Sequence, residues 1–126
     1  MADSKTRFLV VDDYSTIRRI IRNLLKELGH TDVDEAEDGS MALSKLKKER
    51  FDFVISDWNM PILDGLGLVK EMRNDRSLAS IPILFVTAEA KTEIINAVSQ
   101  YGVGFIVKPF NAASLNEKIT KLLGKK

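Results

Sequence analysis

Short apolar runs alternate along this chain with segments in which apolar residues recur every three or four positions. The first pattern is typical of strands that are buried on both faces, and the second is typical of amphipathic helices. The apolar runs predict five strands, at residues 8–11, 33–36, 51–56, 83–86 and 105–107. Helical spacing predicts one helix after each strand. The first of these should end at Gly29, and the last should be capped by Asn111.

The helix after the first strand has the strongest helical pattern. Six apolar residues form its expected inward stripe: Ile17, Ile20, Ile21, Leu24, Leu25 and Leu28. The basic residues between them are expected to face solvent. His30, the only histidine, follows the Gly29 stop and is expected to lie on the surface.

This alternation predicts an α/β domain with a doubly wound, five-stranded parallel sheet and helices on both faces. The second predicted strand is interrupted by Asp34 and Glu35, and the fifth is short, so both belong at the edges of the sheet. This favours the known flavodoxin-like order 2-1-3-4-5, whose switch point lies between strands one and three. A chain of 126 residues has the size of one domain, and we expect residues 1–126 to form it.

Polar side chains end four of the predicted strands. They are Asp12 and Asp13 on the first, Asp57 on the third, Thr87 on the fourth and Lys108 on the fifth. The carboxyl ends of parallel strands form one edge of a sheet, and open α/β sheets bind ligands there. Two carboxylates about 4 Å apart repel each other by roughly 4 kcal/mol at an effective dielectric near 20, so a neutralising cation is expected. Oxygen ligands without Cys or His favour Mg²⁺.

This set of residues suits phosphoryl transfer. An aspartate attacks phosphorus in line, while a metal ion, a lysine and a hydroxyl bind the phosphoryl oxygens. Asp57 is the expected nucleophile because it stands alone on the central strand, with Asp12 and Asp13 beside it as metal ligands. Any one of these aspartates alone could be no more than a loop or cap residue. Together with Thr87 and Lys108 at the same edge, they favour a site.

Composition excludes several other classes of function. The formal net charge of +1 gives no electrostatic reason to expect nucleic acid or a membrane as a partner. The absence of cysteine suits a reducing compartment. No apolar segment has the length of a membrane span or forms the core of a signal peptide. We therefore expect a cytoplasmic monomer.

Taken together, these motifs resemble the response-regulator receiver domains, most closely the single-domain chemotaxis regulators of the CheY type. The matching stretches cover almost the whole chain: residues 8–13, 15–29, 35–39, 53–61, 64–65, 86–91 and 107–110. The resemblance implies that Asp57 accepts a phosphoryl group from a phosphohistidine, and that Thr87 and Lys108 bind the phosphoryl oxygens. It implies Mg²⁺ ligands that are all oxygens, from Asp12, Asp13, Asp57 and the backbone carbonyl of Asn59. It also implies a cis Lys108–Pro109 peptide bond.

The resemblance further implies a switch and a set of partners. Thr87 would move toward the phosphoryl group, and an aromatic residue on the last strand would fill the vacated space. That residue is Phe105, where chemotaxis regulators usually have Tyr, and we expect its ring to prefer the buried rotamer because it has no polar tip. The implied partners are the histidine kinase CheA and the flagellar motor switch protein FliM, with a dedicated phosphatase as a further candidate. The expected partner surface is the fourth helix, fifth strand and fifth helix, with the candidate contacts Thr92, Ile95, Ser99, Phe105, Val107 and Lys118.

Two further residues are candidates for tuning the lifetime of the acyl phosphate. Asn59 and Glu89 each lie two residues past a site residue, which places them at the mouth of the predicted crevice. There they could order or obstruct the water that hydrolyses the phosphorylated aspartate.

Two other readings stay open at this point. A receiver domain could act as a phosphate sink or as a non-flagellar adaptor instead of a motor regulator. A small Mg²⁺-dependent phosphatase with an aspartate nucleophile is disfavoured, since such enzymes usually have Asp-x-Asp and a cap, whereas here Asp12 is followed directly by Asp13. We therefore expect no enzyme acting on a separate substrate, only a domain that catalyses its own phosphorylation and dephosphorylation.

Overall fold

Five parallel strands and five helices alternate along residues 6–124, the part of the chain that this computed structural model describes. The expected domain of residues 1–126 includes residues 1–5 and 125–126, which lie outside that part. The strands are β1 (Phe8–Val11), β2 (Val33–Ala36), β3 (Phe53–Asp57), β4 (Ile83–Thr87) and β5 (Gly104–Val107). The helices are α1 (Ser15–Glu27), α2 (Gly39–Lys48), α3 (Gly65–Asn74), α4 (Thr92–Tyr101) and α5 (Ala112–Leu123). Within residues 6–124, no helix combines the length and the apolar character needed to cross a bilayer.

The strands form one sheet in the order β2-β1-β3-β4-β5, which confirms the predicted topology. All neighbours are parallel, and the register aligns their carboxyl ends. Val11 is paired with Ser56, so Asp12 and Asp57 follow at the same level on adjacent strands. Thr87 is paired with Val107, which brings Lys108 to the same edge. The sheet therefore gathers the predicted site residues at one end.

The core has two layers because successive strand residues point to opposite faces of the sheet. Leu9, Val54 and Phe85 pack on one face with buried residues of α2, α3 and α4. Phe8 and Leu84 pack on the other face with buried residues of α1 and α5. Burial on both faces explains why these strands read as nearly continuous apolar runs.

Polar cap residues begin three of the helices. The side chains of Asp38 and Asp64 accept the backbone N–H groups of Met41 and Gly67, each at 2.8 Å, at the starts of α2 and α3. Asn111 forms a capping box with α5, as the sequence predicted for this residue. These caps pair N–H groups that have no partner within the helix.

Several expectations about local structure differ from the observed fold; β4 extends one residue further than predicted, to Thr87, and β5 begins one residue earlier, at Gly104. β3 covers Phe53–Asp57 instead of residues 51–56, because the N–H groups of Asp52 and Phe53 both donate to the carbonyl of Arg7 before the regular ladder begins. In α1, Ile20 is 48% exposed instead of facing inward. The stripe of six apolar residues is wider than the surface of α1 that packs against the rest of the domain, and only Ile21 and Leu25 are fully buried.

The expectation that His30 lies on the surface is wrong. Its side chain is only 5% exposed, and its ring centroid lies 4.7 Å from that of Phe8. Gly29 adopts a left-handed φ of 94°, its N–H donates to Lys26 O, and the N–H of His30 donates to Leu25 O at 2.8 Å. This double hydrogen-bond pattern is a Schellman motif, which folds the residue after the glycine back against the helix. The same turn that ends α1 therefore buries His30.

Candidate functional site

Three carboxylates converge at the carboxyl edge of β1 and β3. Oxygens of Asp12, Asp13 and Asp57 all lie within 4.8 Å of one another. Asp12 is almost fully buried at 1% exposure, Asp57 is partly buried, and Asp13 is exposed. The three side chains therefore form a notch with a buried wall and an open mouth.

The hydrogen bonds of Asp12 leave one oxygen free. Its N–H donates to Ala36 O at 3.1 Å, and its Oδ1 accepts the N–H of Tyr14 at 2.9 Å. Its backbone carbonyl accepts Nη1 of Arg18 at 2.6 Å. Oδ2 is buried without a hydrogen-bond partner. Within residues 6–124, Nδ1 of His30 is the only other buried side-chain nitrogen or oxygen without one. A buried, unpaired carboxylate oxygen is unfavourable unless a cation or donor meets it. Asp12, which carries this oxygen, is one of the three residues of the acidic cluster.

The notch also perturbs protonation. Burial, followed by the charge of Asp12, raises the pKa of Asp57 to about 6, while Lys108 and the backbone N–H of Asn59 oppose the rise. Burial raises the pKa of Asp12 as well. A divalent cation would favour the ionised form of both groups. Clustered carboxylates with no cysteine or histidine ligand are the donor set that Mg²⁺ prefers, so the residues present fit that ion.

Thr87 and Lys108 complete the edge on the other side of Asp57. Thr87 is 4% exposed, and its hydroxyl donates to the backbone carbonyl of Glu89 at 3.0 Å. The N–H of Lys108 donates to Thr87 O at 2.9 Å, which joins the ends of β4 and β5. The Lys108–Pro109 peptide bond is cis, as the resemblance implied. All five predicted polar residues therefore lie at one edge of the sheet.

Comparison with known proteins assigns the family. The sequence model described as "Response regulator receiver domain" matches residues 8–120. The chain belongs to this receiver family. It is 53% identical over 117 residues to the chemotaxis protein CheY-3 of Vibrio cholerae, covering 92% of this chain and 90% of that protein. It is thus a CheY-like chemotaxis response regulator, a signalling domain.

Solved structures of receiver domains have the same fold. The Vibrio cholerae chemotaxis protein CheY4 superposes with a TM-score of 0.85 at 36% identity, covering 96% of this chain and 99% of that one. The response regulator protein TrrA from Thermotoga maritima, in complex with Mg²⁺-BeF, gives a TM-score of 0.79 at 35% identity and covers 93% of this chain and 98% of that one. A solved relative with this fold therefore contains Mg²⁺.

The residues proposed for the partner surface of this receiver domain differ in exposure. Ile95 is 49% exposed and Val107 is 37% exposed, whereas Phe105 and Lys118 are partly buried. Nζ of Lys118 lies 5.9 Å from the centroid of the Phe105 ring, so α5 covers one side of that ring. Thr92 and Ser99 are exposed on α4.

The two candidates for lifetime tuning both lie near the site and in solvent. Asn59 and Glu89 are exposed, and the Glu89 carboxylate lies 3.7 Å from the ammonium of Lys91. They belong to the loops that follow β3 and β4, at the carboxyl edge of the sheet.

Sequence reasoning missed Arg18 and Glu35. Arg18 was expected to face solvent with the other basic residues of α1, but its side chain is only 13% exposed and donates to Glu35 at 2.8 Å. Glu35 was taken only as an interruption of an edge strand. The structure pairs Glu35 with Val10, so it lies on the strand beside β1, close to the site, but this register is not visible in the sequence.

Proposed function

We propose that this receiver domain takes a phosphoryl group onto Asp57 from a phosphohistidine of the histidine kinase CheA, and that phosphorylation changes its affinity for the flagellar motor switch protein FliM. The observation that carries the proposal is the cluster of Asp12, Asp13 and Asp57 at the carboxyl edge of the sheet, in which Oδ2 of Asp12 is buried without a hydrogen-bond partner. Such a notch suits a cation and a phosphoryl group bound together.

Asp57 is the nucleophile in this proposal. It lies on the central strand and is only partly buried, so a donor can reach it. One of its oxygens bonds to phosphorus as the bond between phosphorus and the donor imidazole nitrogen breaks, and that nitrogen leaves with the electron pair. With a pKa of about 6, Asp57 is largely ionised at neutral pH even before a cation binds.

The remaining residues neutralise and orient the phosphoryl group. Asp12, Asp13, Asp57 and the backbone carbonyl of Asn59 would hold Mg²⁺, which when bound offsets the charge of the carboxylates and the phosphoryl oxygens. Lys108 supplies a second positive charge at the same edge, close enough to oppose the rise in the pKa of Asp57. Thr87 supplies a hydroxyl donor once it releases the carbonyl of Glu89.

That release links the site to the partner surface. The bond from the Thr87 hydroxyl to Glu89 O ties the end of β4 to the loop before α4. Turning the hydroxyl toward a phosphoryl oxygen breaks this bond and frees the loop. Thr87 is paired in the sheet with Val107, which lies two residues after Phe105. The space that the Thr87 hydroxyl leaves when it turns therefore borders β5. The change would therefore reach α4, β5 and α5.

Mass measurement tests the phosphorylation step. The purified chain incubated with acetyl phosphate and Mg²⁺ should gain the mass of one phosphoryl group, and the same reaction with EDTA should not. Asp57→Asn should abolish the gain. Equal gain in both proteins, or none in either, would refute the assignment.

A pulldown with the N-terminal peptide of the motor switch protein, with and without beryllofluoride, tests the output. Stronger capture with beryllofluoride is expected. A protein that is phosphorylated but never captures the peptide would instead be a phosphate sink or an adaptor.

Phe105 sets the size of the switch in this proposal. Its ring is partly buried against the core and lies beside Lys118, without a hydroxyl that would hold it near water. An inward bias before phosphorylation reduces the difference between the two states. We expect beryllofluoride to change peptide affinity by less than the roughly fivefold lower end of typical allosteric coupling. Phe105→Tyr should enlarge the change, and a large change in the unaltered protein would contradict this.

Asn59 and Glu89 are proposed to set the lifetime of the acyl phosphate, since both are exposed beside the site. Replacing either with Ala should change the rate at which the phosphoryl group is lost after the donor is removed. An unchanged rate in both variants would end this assignment.

A further inference from the structure

A partly buried guanidinium, that of Arg18, joins α1, β2 and the loop that carries Asp12. Nη1 of Arg18 donates to the backbone carbonyl of Asp12 at 2.6 Å, and its Nε donates to Oε1 of Glu35 at 2.8 Å. Arg22 donates to the second carboxylate oxygen of Glu35. Both oxygens of Glu35 are thus engaged by arginines, and the arginine closer to the site is the more buried.

This connection completes the constraints on Asp12. Its N–H donates to the carbonyl of Ala36, its Oδ1 accepts the N–H of Tyr14, and its backbone carbonyl accepts a hydrogen bond from Arg18. Neighbouring structure therefore fixes the backbone of Asp12 on both sides and one of its two carboxylate oxygens. The remaining oxygen, Oδ2, is buried without a hydrogen-bond partner, on a residue of the acidic cluster.

We propose that Arg18, itself held by Glu35, is a positioning residue for the metal site: it fixes the carbonyl of Asp12 so that Oδ2 faces the place where Mg²⁺ binds. This inference rests on the proposed function, because it assumes that the notch binds Mg²⁺. Arg18 donates to the backbone of Asp12 and not to its carboxylate, so its role is to orient a ligand. Residues that orient metal ligands typically contribute tenfold or more to metal affinity.

Charge and positioning predict opposite effects when Arg18 is replaced. A cation near the notch repels Mg²⁺, so removing the guanidinium charge alone would tighten Mg²⁺ binding. Losing the bond to the Asp12 carbonyl would weaken it, because Oδ2 is then no longer held toward the site. The direction of the change in Mg²⁺ affinity therefore separates the two roles.

Arg19 provides a matched control. It carries the same charge on the next position of α1, is exposed, and makes no ion pair within 4.0 Å among residues 6–124. Arg19→Met removes the same charge without touching Asp12. Arg18→Lys keeps the charge but cannot donate to Asp12 and Glu35 in the forked geometry of a guanidinium.

The experiment is a Mg²⁺ titration of the metal-free protein, followed by the fluorescence of Trp58 and repeated by calorimetry. Trp58 is next to Asp57 and packs edge-on against Phe85 at 5.0 Å, so its emission should respond to the site. We expect Arg18→Met to raise the Kd for Mg²⁺ by about tenfold. Arg18→Lys and Glu35→Gln should raise it by about threefold each, and Arg19→Met should leave it within about twofold. Thermal unfolding of each variant sets the temperature at which all are folded.

Two outcomes would overturn the inference. If Arg18→Met binds Mg²⁺ as well as or better than the unaltered protein, while losing stability, Arg18 only ties α1 to β2. If the effect of Arg18→Met equals that of Arg19→Met, only charge matters. Failure of the proposed function is distinct: the unaltered protein itself would then show no Mg²⁺ binding by either measurement.

Discussion

Replacing Asp57 with Asn should make the metal-free protein more stable at neutral pH, although it removes the proposed phosphorylation site. Burial and the charge of Asp12 raise the pKa of Asp57 from its ordinary 3.8 to about 6. The folded protein therefore holds a proton on Asp57 up to about pH 6, whereas the unfolded chain loses it near pH 3.8. The stability that this proton provides is complete below the lower value and is lost as the pH rises through about 6.

The size of the effect follows from the two pKa values. Each pH unit between 3.8 and about 6 corresponds to about 1.4 kcal/mol, so ionising Asp57 reduces the free energy of unfolding by up to about 3 kcal/mol above pH 7. Asp57 is only partly buried, and water screens part of this penalty. We therefore expect Asp57→Asn to gain about 1–3 kcal/mol at pH 7.5 in EDTA.

Urea unfolding followed by circular dichroism measures this gain. It should fall to about half near pH 5, where the folded unaltered protein is already protonated on Asp57. Adding Mg²⁺ should narrow or reverse it, because the ion binds the unaltered folded state more tightly. Asp13→Asn is the control: Asp13 is exposed, and its charge is the smallest of the causes that raise the pKa of Asp57, so its gain should be smaller.

The reasoning is refuted if Asp57→Asn has equal or lower stability than the unaltered protein at pH 7.5 in EDTA. A gain that does not depend on pH would also refute it, since the argument attributes the whole effect to ionisation of this carboxyl.

Three further predictions concern stability. Burial lowers the pKa of His30, so its neutral form contributes stability that is present above about pH 6.5 and lost as the pH falls below it. His30→Phe should therefore make the free energy of unfolding depend less on pH between about pH 5 and 7. This is measured in the Asp57→Asn background, because the ionisation of Asp57 changes stability with pH in the opposite direction. Ile62 has a left-handed φ of 68° and is 80% exposed. Because Asn adopts this backbone conformation more readily than a β-branched residue, Ile62→Asn should stabilise the protein by about 0.5–1 kcal/mol in urea unfolding. A loss of stability would show that the backbone at this residue is not strained. A methyl group on Gly65 would lie 2.8 Å from Cε1 of Phe85, so Gly65→Ala should reduce the unfolding free energy by about 1–3 kcal/mol, and an unchanged midpoint would show that the contact relaxes freely.

Most of the fold could be predicted because its signals are local. The run Phe8–Val11 is apolar on both faces and stops at Asp12, as the pattern predicted, and α5 begins after the predicted cap, Asn111. The five site residues could be placed because parallel strands have only one carboxyl edge, so any residue that ends a strand must lie there.

His30 shows how a local signal can be misread. The glycine stop was recognised, but a Schellman motif commonly packs the second residue after the helix back against it. Its position beyond the glycine stop suggested the surface, whereas the turn and the ring of Phe8 buried the imidazole. The hydrogen bonds of the turn therefore decide where the residue after the stop lies.

The order of elements, the topology of the sheet and the carboxylates at its edge could all be inferred from the amino-acid sequence, since these depend on periodicity and on residues adjacent in the chain. Three features depend on packing between elements: Arg18 is the arginine of α1 that turns toward the site, Glu35 binds it, and Oδ2 of Asp12 has no hydrogen-bond partner. These contacts join residues that are 6 and 17 positions apart on different elements. A periodic pattern shows which face of a helix is apolar, but the partner of a buried charge depends on what packs over it.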